Sequence, residues 1–373
     1  MTIFITFLAA VFVFGVVIAL HEFGHFAVAK LCGVQVNEFS IGMGPALWKR
    51  IYRGTQYSLR LLPVGGYVAL EGEDSPESQQ AQKAAEARAA APEDESPVPP
   101  AQRTGRPLND APVWQRVLVM AAGAAMNFVL GFVVLVALVA TQEGPITSRV
   151  VYAVEPDALC AQTGLAAGDE VLAVNGRRCF VANDMLYELT RTESCQASFT
   201  VRRRGAVVEL PGVRFDTWQD EAGEQHMSLG FTVYGIEKTP ANVVKEAANS
   251  VLYYGRIIFT SLVDLLRGRE SINDLSGPVG IVTAIGQAAS YGLRDLLDLL
   301  VLISINLGIF NLLPFPALDG GKVAFLLIEG LTGHAVPEKI QGSLTMAAFA
   351  LLFGLMLFAT YNDILRLIAG AAF

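Results

Sequence analysis

The residues best able to do chemistry are His21-Glu22-Phe23-Gly24-His25. On a helix, positions i and i+4 share a face, so His21 and His25 can present nitrogens to one metal ion while Glu22 projects beside them. Two imidazoles suit zinc, which in catalytic sites takes three protein ligands and keeps a fourth place for water. A carboxylate next to that water serves as a general base. The stretch therefore has the form of a zinc hydrolase site, with His21 and His25 as ligands, Glu22 as base and a third ligand still to be found. Three fixed letters in five also arise by chance in unrelated helices, but location argues for chemistry. The motif follows an uncharged apolar run over residues 2–20, in a chain with only four His. Ionisable groups at membrane depth are costly and mark function.

The elements that position such a site must be membrane helices. The chain has 373 residues, of which 53% are hydrophobic and 17% charged, and its mean hydropathy is +0.44. These values belong to a polytopic membrane protein. A formal net charge of -8 offers no basic footprint, so nucleic acid is not an expected partner. Cys32, Cys160, Cys179 and Cys195 form no C-x-x-C pair, so neither a structural zinc site nor a redox motif is indicated. Three of them share one extramembrane segment, where spacing leaves a disulfide open.

Residues 1–36 are expected to form the first transmembrane helix, which carries the motif. No basic segment precedes the apolar run, and the ligands would be lost with a cleaved signal. Residues 37–70 turn to β-prone pieces cut by glycine, with strand, turn and strand read around Pro63-Val64-Gly65-Gly66. Non-helical backbone of this kind is tolerated at membrane depth only against protein or a cavity. A membrane-reentrant β-hairpin and an ordinary surface hairpin both fit the residues. Residues 71–112 hold an Ala-, Glu-, Gln- and Pro-rich insertion, expected to be disordered. Residues 113–141 form a second spanning helix in which Asn127 seeks a partner on a neighbouring helix. Residues 144–235 read as strands with one short helix, and the string Ala161-Gln162-Thr163-Gly164-Leu165-Ala166-Ala167-Gly168-Asp169-Glu170-Val171-Leu172-Ala173-Val174-Asn175-Gly176 resembles a bacterial PDZ domain. Residues 241–294 are amphipathic and interfacial, 295–321 a third spanning helix, 322–343 a cytoplasmic loop, and 344–373 a fourth spanning helix with a tail.

Span parity points to the third ligand. Four spans put both termini on one side, and the first and third helices then end on the same face, so Asp319 can meet His21 and His25. Asp319-Gly320 is also a common turn pair, and a helix-end turn is the competing reading. A carboxylate at membrane depth, however, needs a cationic partner. Lys30, Arg103, Arg106 and Arg116 mark the loop between the first two spans as cytoplasmic. Both termini and the 144–235 domain are then extracytoplasmic.

Taken in order, the motif at 21–25, Leu61-Leu62-Pro63-Val64-Gly65-Gly66-Tyr67-Val68, the PDZ string, Ser276-Gly277-Pro278-Val279-Gly280-Ile281, and Asn306 through Asp319-Gly320 resemble the site-2 protease family of intramembrane zinc metalloproteases, and within it the bacterial branch. The resemblance implies that His21, His25 and Asp319 bind Zn2+ and that Glu22 is the base. It assigns Asn306, Asn311, Pro314 and Pro316 to handling of the substrate backbone. It makes residues 58–70 a membrane-reentrant β-loop whose edge, at Gly65 and Gly66, can hold an extended peptide. The implied activity is endoproteolysis of single-span proteins in the bacterial cytoplasmic (inner) membrane. Substrates of that class include anti-sigma factors already trimmed outside by a site-1 type protease, and remnant signal peptides. Membrane lipid is the other implied partner.

Gly123-Ala124-Ala125-Met126-Asn127 lacks a proline that family members often carry, the chain has room for one PDZ domain where others have two, and the 71–106 stretch has no counterpart. A reading of another class is a zinc- or cation-binding transporter or PDZ scaffold without hydrolysis. Glu22 separates the two, because a binding site needs no base beside its metal.

Overall fold

The computed structural model describes residues 2–73, 98, 103–192, 195–220, 225–269 and 271–369. Most of the stretch read as a disordered insertion, 71–112, lies outside the described residues. The helices of more than one α-turn are, in chain order, α1 (Thr2–Leu31), α2 (Val113–Thr141), α3 (Ala182–Thr190), α4 (Pro240–Leu266), α5 (Pro278–Tyr291), α6 (Leu293–Leu312), α7 (Asp319–Thr332) and α8 (Glu338–Ala369). Four of them, α1, α2, α6 and α8, are long and apolar enough to cross a membrane. The chain divides into two compact units, Met1–Gly131 with Ile258–Phe373, and Phe132–Ile257.

In the first unit, strands β1 (Val36–Tyr52) and β2 (Thr55–Leu70) pair along their length. The reversal between them is at Arg53-Gly54, both with positive φ (46° and 71°), a two-residue hairpin turn whose second position suits glycine. A second reversal falls within β2, between 59 and 66, where the turn around Pro63–Gly66 is expected: 38–41 runs parallel to 56–59 and antiparallel to 66–69. Residues 38–41 lie opposite both 56–59 and 66–69, so the two arms read as hairpin partners are separated by a segment from earlier in the chain. Periodicity within 56–68 carries no trace of that long-range pairing.

Glu38, Ser40, Ser58, Arg60 and Tyr67 form one polar network on this sheet. The Arg60 guanidinium donates to Glu38 Oε1 at 2.8 Å, to Ser40 Oγ at 2.8 Å and to Tyr67 Oη at 2.6 Å. Beneath the sheet, Ala29, Val34, Val36, Leu70, Leu108, Val119 and Met120 make a buried apolar cluster, with Val323 and Leu326 of α7 against it. This cluster joins the ends of α1, β2, α2 and α7.

Two further expectations are corrected in this unit. The third spanning helix ends at Leu312 and not near 321, because Leu313 precedes Pro314 and is held extended (φ -64°, ψ 141°). The segment 322–343, read as a loop, contains most of α7, whose apolar Val323 and Leu326 pack on the shared cluster and whose end is a left-handed Gly333. Helix α5, 14 residues long, is too short to span. Its N-terminal amides are met by the buried Asp363 of α8, which accepts from Gly277 N at 3.2 Å and Gly280 N at 2.7 Å. A carboxylate there satisfies orphan donors and the positive end of the helix dipole.

The second unit holds β3 (Ile146–Val154), β4 (Glu170–Val174), β5 (Arg177–Arg178), β6 (Gln196–Arg203), β7 (Ala206–Arg214), β8 (Asp216–Gln219), β9 (Gln225–Ser228) and β10 (Phe231–Ile236). The main sheet runs β10-β3-β4-β6-β7, with β5 on β4, and β8 pairs with β9. Asn175-Gly176, with φ 51° and 74°, turns β4 into β5. Alternating apolar residues, among them Val151, Val171, Phe199, Val201 and Val213, close with Met185 and Leu189 of α3 into one core. Buried Asp169 is paired with Arg203 through two bonds of 2.7 Å. Arg256 of α4 reaches the buried Asp184 and Glu188 of α3. The four cysteines are free thiols.

Candidate metal centre

His21 and His25 lie two-thirds of the way along α1, on the face turned to α2 and α7. Asp319 opens α7. The Pro314 and Pro316 segment has just ended α6, and its backbone doubles back through the Leu318 N–H bond to Phe315 O at 2.9 Å. Thr345 of α8 holds that segment by donating to Pro316 O at 3.1 Å. The broken helix thereby sets the carboxylate at a helix N-terminus, where negative charge is favoured.

The three groups converge. Asp319 Oδ2 is 3.1 Å from His21 Nε2 and 3.3 Å from His25 Nε2, and the two Nε2 atoms are 3.3 Å apart. Ligand atoms on a tetrahedral zinc, bound at about 2.0–2.1 Å, stand about 3.3 Å from one another. The triangle thus has the edge lengths of three zinc ligands.

The donor set fits as well. His25 Nδ1 is 2.8 Å from the backbone oxygen of Val119, which can only accept, so Nδ1 carries a proton and the neutral ring has its lone pair on Nε2. That lone pair faces a buried carboxylate oxygen that lacks a hydrogen-bond donor. A cation resolves the conflict. Space for one is kept by Gly123 of α2, where an added Cβ would stand 2.8 Å from His21 Nε2 and closer to His25 Nε2.

Glu22 is half-buried on the same turn. Strand β2 passes beside it, and a Cβ at Gly66 would come within 3.4 Å of Glu22 Cγ and 3.8 Å of Ile18. The structure therefore brings His21, Glu22, His25, Asp319 and Gly66 together. Gly65 is the next residue of the strand, with a left-handed φ of 86°. Asn311 is buried at the end of α6, while Asn306 and Pro314 are exposed and Pro316 half-buried. None of these four belongs to the ligand triangle.

Sequence reasoning did not bring out Gly123 or the backbone carbonyl of Val119, and it assigned Asn127 to helix packing. Asn127 is fully buried with its amide 3.1 Å from His21 Nδ1. The signal available was spacing: 119, 123 and 127 recur every four residues, one stripe of a helix.

Comparison of the sequence with known proteins finds relatives named as zinc metalloproteases. A homologue from Clostridium perfringens is 33% identical over 95% of this chain and 97% of its own length. The chain is similar to the regulator of sigma-W protease RasP of Bacillus subtilis, at 29% identity over 97% of this chain and 99% of that one. It is also similar to the zinc metalloprotease RasP of Shouchella clausii, at 30% identity over 97% and 99%. These matches decide between hydrolysis and metal binding alone. The model of peptidase family M50 covers residues 9–355, leaving only the two ends of the chain outside it, and on that match the chain belongs to peptidase family M50.

Proposed function

We propose that this zinc metalloprotease cleaves single-span membrane proteins within the bilayer, with His21, His25 and Asp319 as zinc ligands and Glu22 as the general base. The observation that carries the ligand set is the triangle of 3.1, 3.3 and 3.3 Å edges among the three donor atoms. Zinc supplies Lewis-acid chemistry, activating water near neutral pH and polarising a peptide carbonyl. Glu22 takes the water proton and delivers it to the leaving nitrogen. Asp319 opens α7, whereas His21 and His25 lie about 9–15 Å of helix before the cytoplasmic end of α1, so water must reach them along that length.

A helical substrate hides its peptide bonds, so a stretch must be extended before attack. The 66–69 arm of β2, with Gly65 and Gly66 at its start, runs beside Glu22 and supplies backbone groups for strand addition. Asn306, Asn311, Pro314 and Pro316 are proposed to handle the unwound substrate on the α6 side.

The β1–β2 sheet is proposed to re-enter the membrane. Its Arg53-Gly54 turn is tied to the chain just beyond α1, since Gln35 Nε2 donates to Gly54 O at 2.6 Å, whereas Gly66 meets Ile18 inside the apolar run. Those two levels are separated by about 20 Å of helix. The deep end exposes Met43, Leu61 and Leu62, and the end at the turn exposes Tyr52 beside Arg53. This is the gradient expected on passing from hydrocarbon to headgroups.

The 144–235 domain is proposed to be a PDZ domain on the extracytoplasmic side, with both termini. Support comes from the PDZ-like string and from β10, which ends the order of the main sheet and can receive a peptide end. Anti-sigma factors trimmed first by a site-1 type protease, and remnant signal peptides, are the proposed substrates in the cytoplasmic membrane.

The test is Glu22→Gln, which keeps shape and removes the base. Cleavage of a purified transmembrane peptide should fall by orders of magnitude while zinc content and peptide binding persist. Wild-type cleavage by this variant would overturn the assignment of the base.

A further inference from the structure

We infer that Asn127 is a positioning residue for the zinc site: its side-chain oxygen accepts the Nδ1 proton of His21 and so aims Nε2 at the metal. The inference rests on the ligand set proposed above.

A neutral imidazole has one proton. If Nε2 of a histidine is to bind zinc, the proton sits on Nδ1 and needs an acceptor. For His25 that acceptor is the carbonyl of Val119, at 2.8 Å. For His21 the group at Nδ1 is the Asn127 amide, whose nitrogen stands 3.1 Å away while its Oδ1 is buried without a partner. The two ends of an amide have the same shape, and the network decides which end faces which neighbour. A zinc-binding His21 requires the oxygen at Nδ1. The exchange gives Oδ1 a partner and leaves Nδ2 as the amide group without one, a cost that fixing the His21 tautomer must outweigh.

The placement is systematic. Val119, Gly123 and Asn127 lie four residues apart on one stripe of α2 and meet, in turn, His25, the gap between the two rings, and His21. The helices are antiparallel here, so a four-residue repeat on one matches the four-residue repeat of ligands on the other. Asn127 is also tied from the far side, where Ser304 of α6 donates to its backbone oxygen at 2.9 Å. The amide is thus held by α2 and α6 while it holds a ring on α1. Partners of this kind orient metal-bound histidines, and losing one costs about 10- to 100-fold in metal affinity.

The experiment uses the full chain in nanodiscs, stripped of metal and titrated with zinc against a chromogenic chelator, together with the visible spectrum of the cobalt-loaded protein. Asn127→Leu keeps the volume and removes the acceptor. It should bind zinc about 10- to 100-fold more weakly and shift the cobalt bands. Asn127→Asp restores an acceptor, and its affinity and spectrum should return towards wild type. If Asn127→Leu fails to fold, Asn127→Ala takes its place in the comparison. The inference is overturned if the variant without an acceptor binds zinc like wild type, or if Asn127→Asp falls as far as that variant. His21→Ala separates the two layers: undiminished zinc affinity there would sink the ligand set itself, whereas its loss, with Asn127→Leu unaffected, would sink only the role of Asn127.

Discussion

A side chain on Gly24 would run into the backbone of Ala122: a Cβ there stands 2.8 Å from the Ala122 carbonyl carbon and nearer still to its oxygen. This contact sets how closely α1 approaches α2, and with it the distance from His21 and His25 to the stripe on α2 that faces them. Gly24→Val should push the helices apart. We expect loss of zinc from the purified protein and a stability loss of about 1–3 kcal/mol, the usual cost of overpacking. Metal analysis and thermal unfolding check both, and full zinc occupancy in the variant would refute the coupling.

Gly123→Ala tests the space for the metal directly. The new methyl would lie between the two Nε2 atoms, so zinc should be lost. The metal-free protein should also lose about 1–3 kcal/mol, because the methyl meets both buried imidazole rings and the roughly 1 kcal/mol that alanine gains over glycine inside a helix offsets this only in part. Metal analysis beside the melting of the chelator-treated protein reads out each half. Stoichiometric zinc in Gly123→Ala would show that the metal sits elsewhere.

Asp363→Ala should destabilise the docking of α5. The change leaves the amides of Gly277 and Gly280 without their acceptor, at a cost of about 1–3 kcal/mol for a buried donor left unmade. Asp363→Asn, which keeps one acceptor oxygen, should fall between. Thermal unfolding in nanodiscs gives the order, and an alanine variant as stable as wild type would remove this role.

The proposed orientation is checked by cysteine labelling in a background without native cysteines. A thiol at Asp110 should react only when reagent enters from the cytoplasmic side, and one at Gln219 only from outside. Labelling of both from one side would break the four-span topology.

Cys179 should resist alkylation in the folded protein at mildly alkaline pH. It is fully buried, and burial, reinforced by the nearby Asp184 carboxylate, pushes its thiol up to about 12. A thiol raised on folding favours the native state below the ordinary cysteine pKa of about 8.5, and that contribution is lost as pH rises toward the folded value. Mass spectrometry after iodoacetamide treatment, with and without denaturant, measures this. Rapid native labelling would contradict it.

Much of the site was legible because it is local. Two histidines four residues apart on an apolar helix need no tertiary information to share a face, Pro314 and Pro316 announce the end of α6, and Asn175-Gly176 announces a turn. Asp319 was reachable through parity, since counting spans assigns a side of the membrane without coordinates. What the sequence could not determine depends on segments far apart in the chain. The insertion of residues 38–41 between 56–59 and 66–69 is a register choice made by packing under α1, and Arg53-Gly54 carries a weaker turn signal than the glycine pair at 65–66. The Asn127 amide, the Val119 carbonyl and the empty side of Gly123 acquire meaning only once α2 lies against α1, because a second layer around a metal is defined by distance in space. Spacing along one helix settled which residues could hold zinc; the packing of α2 and α7 on α1 decided which nitrogen, which oxygen and how much room.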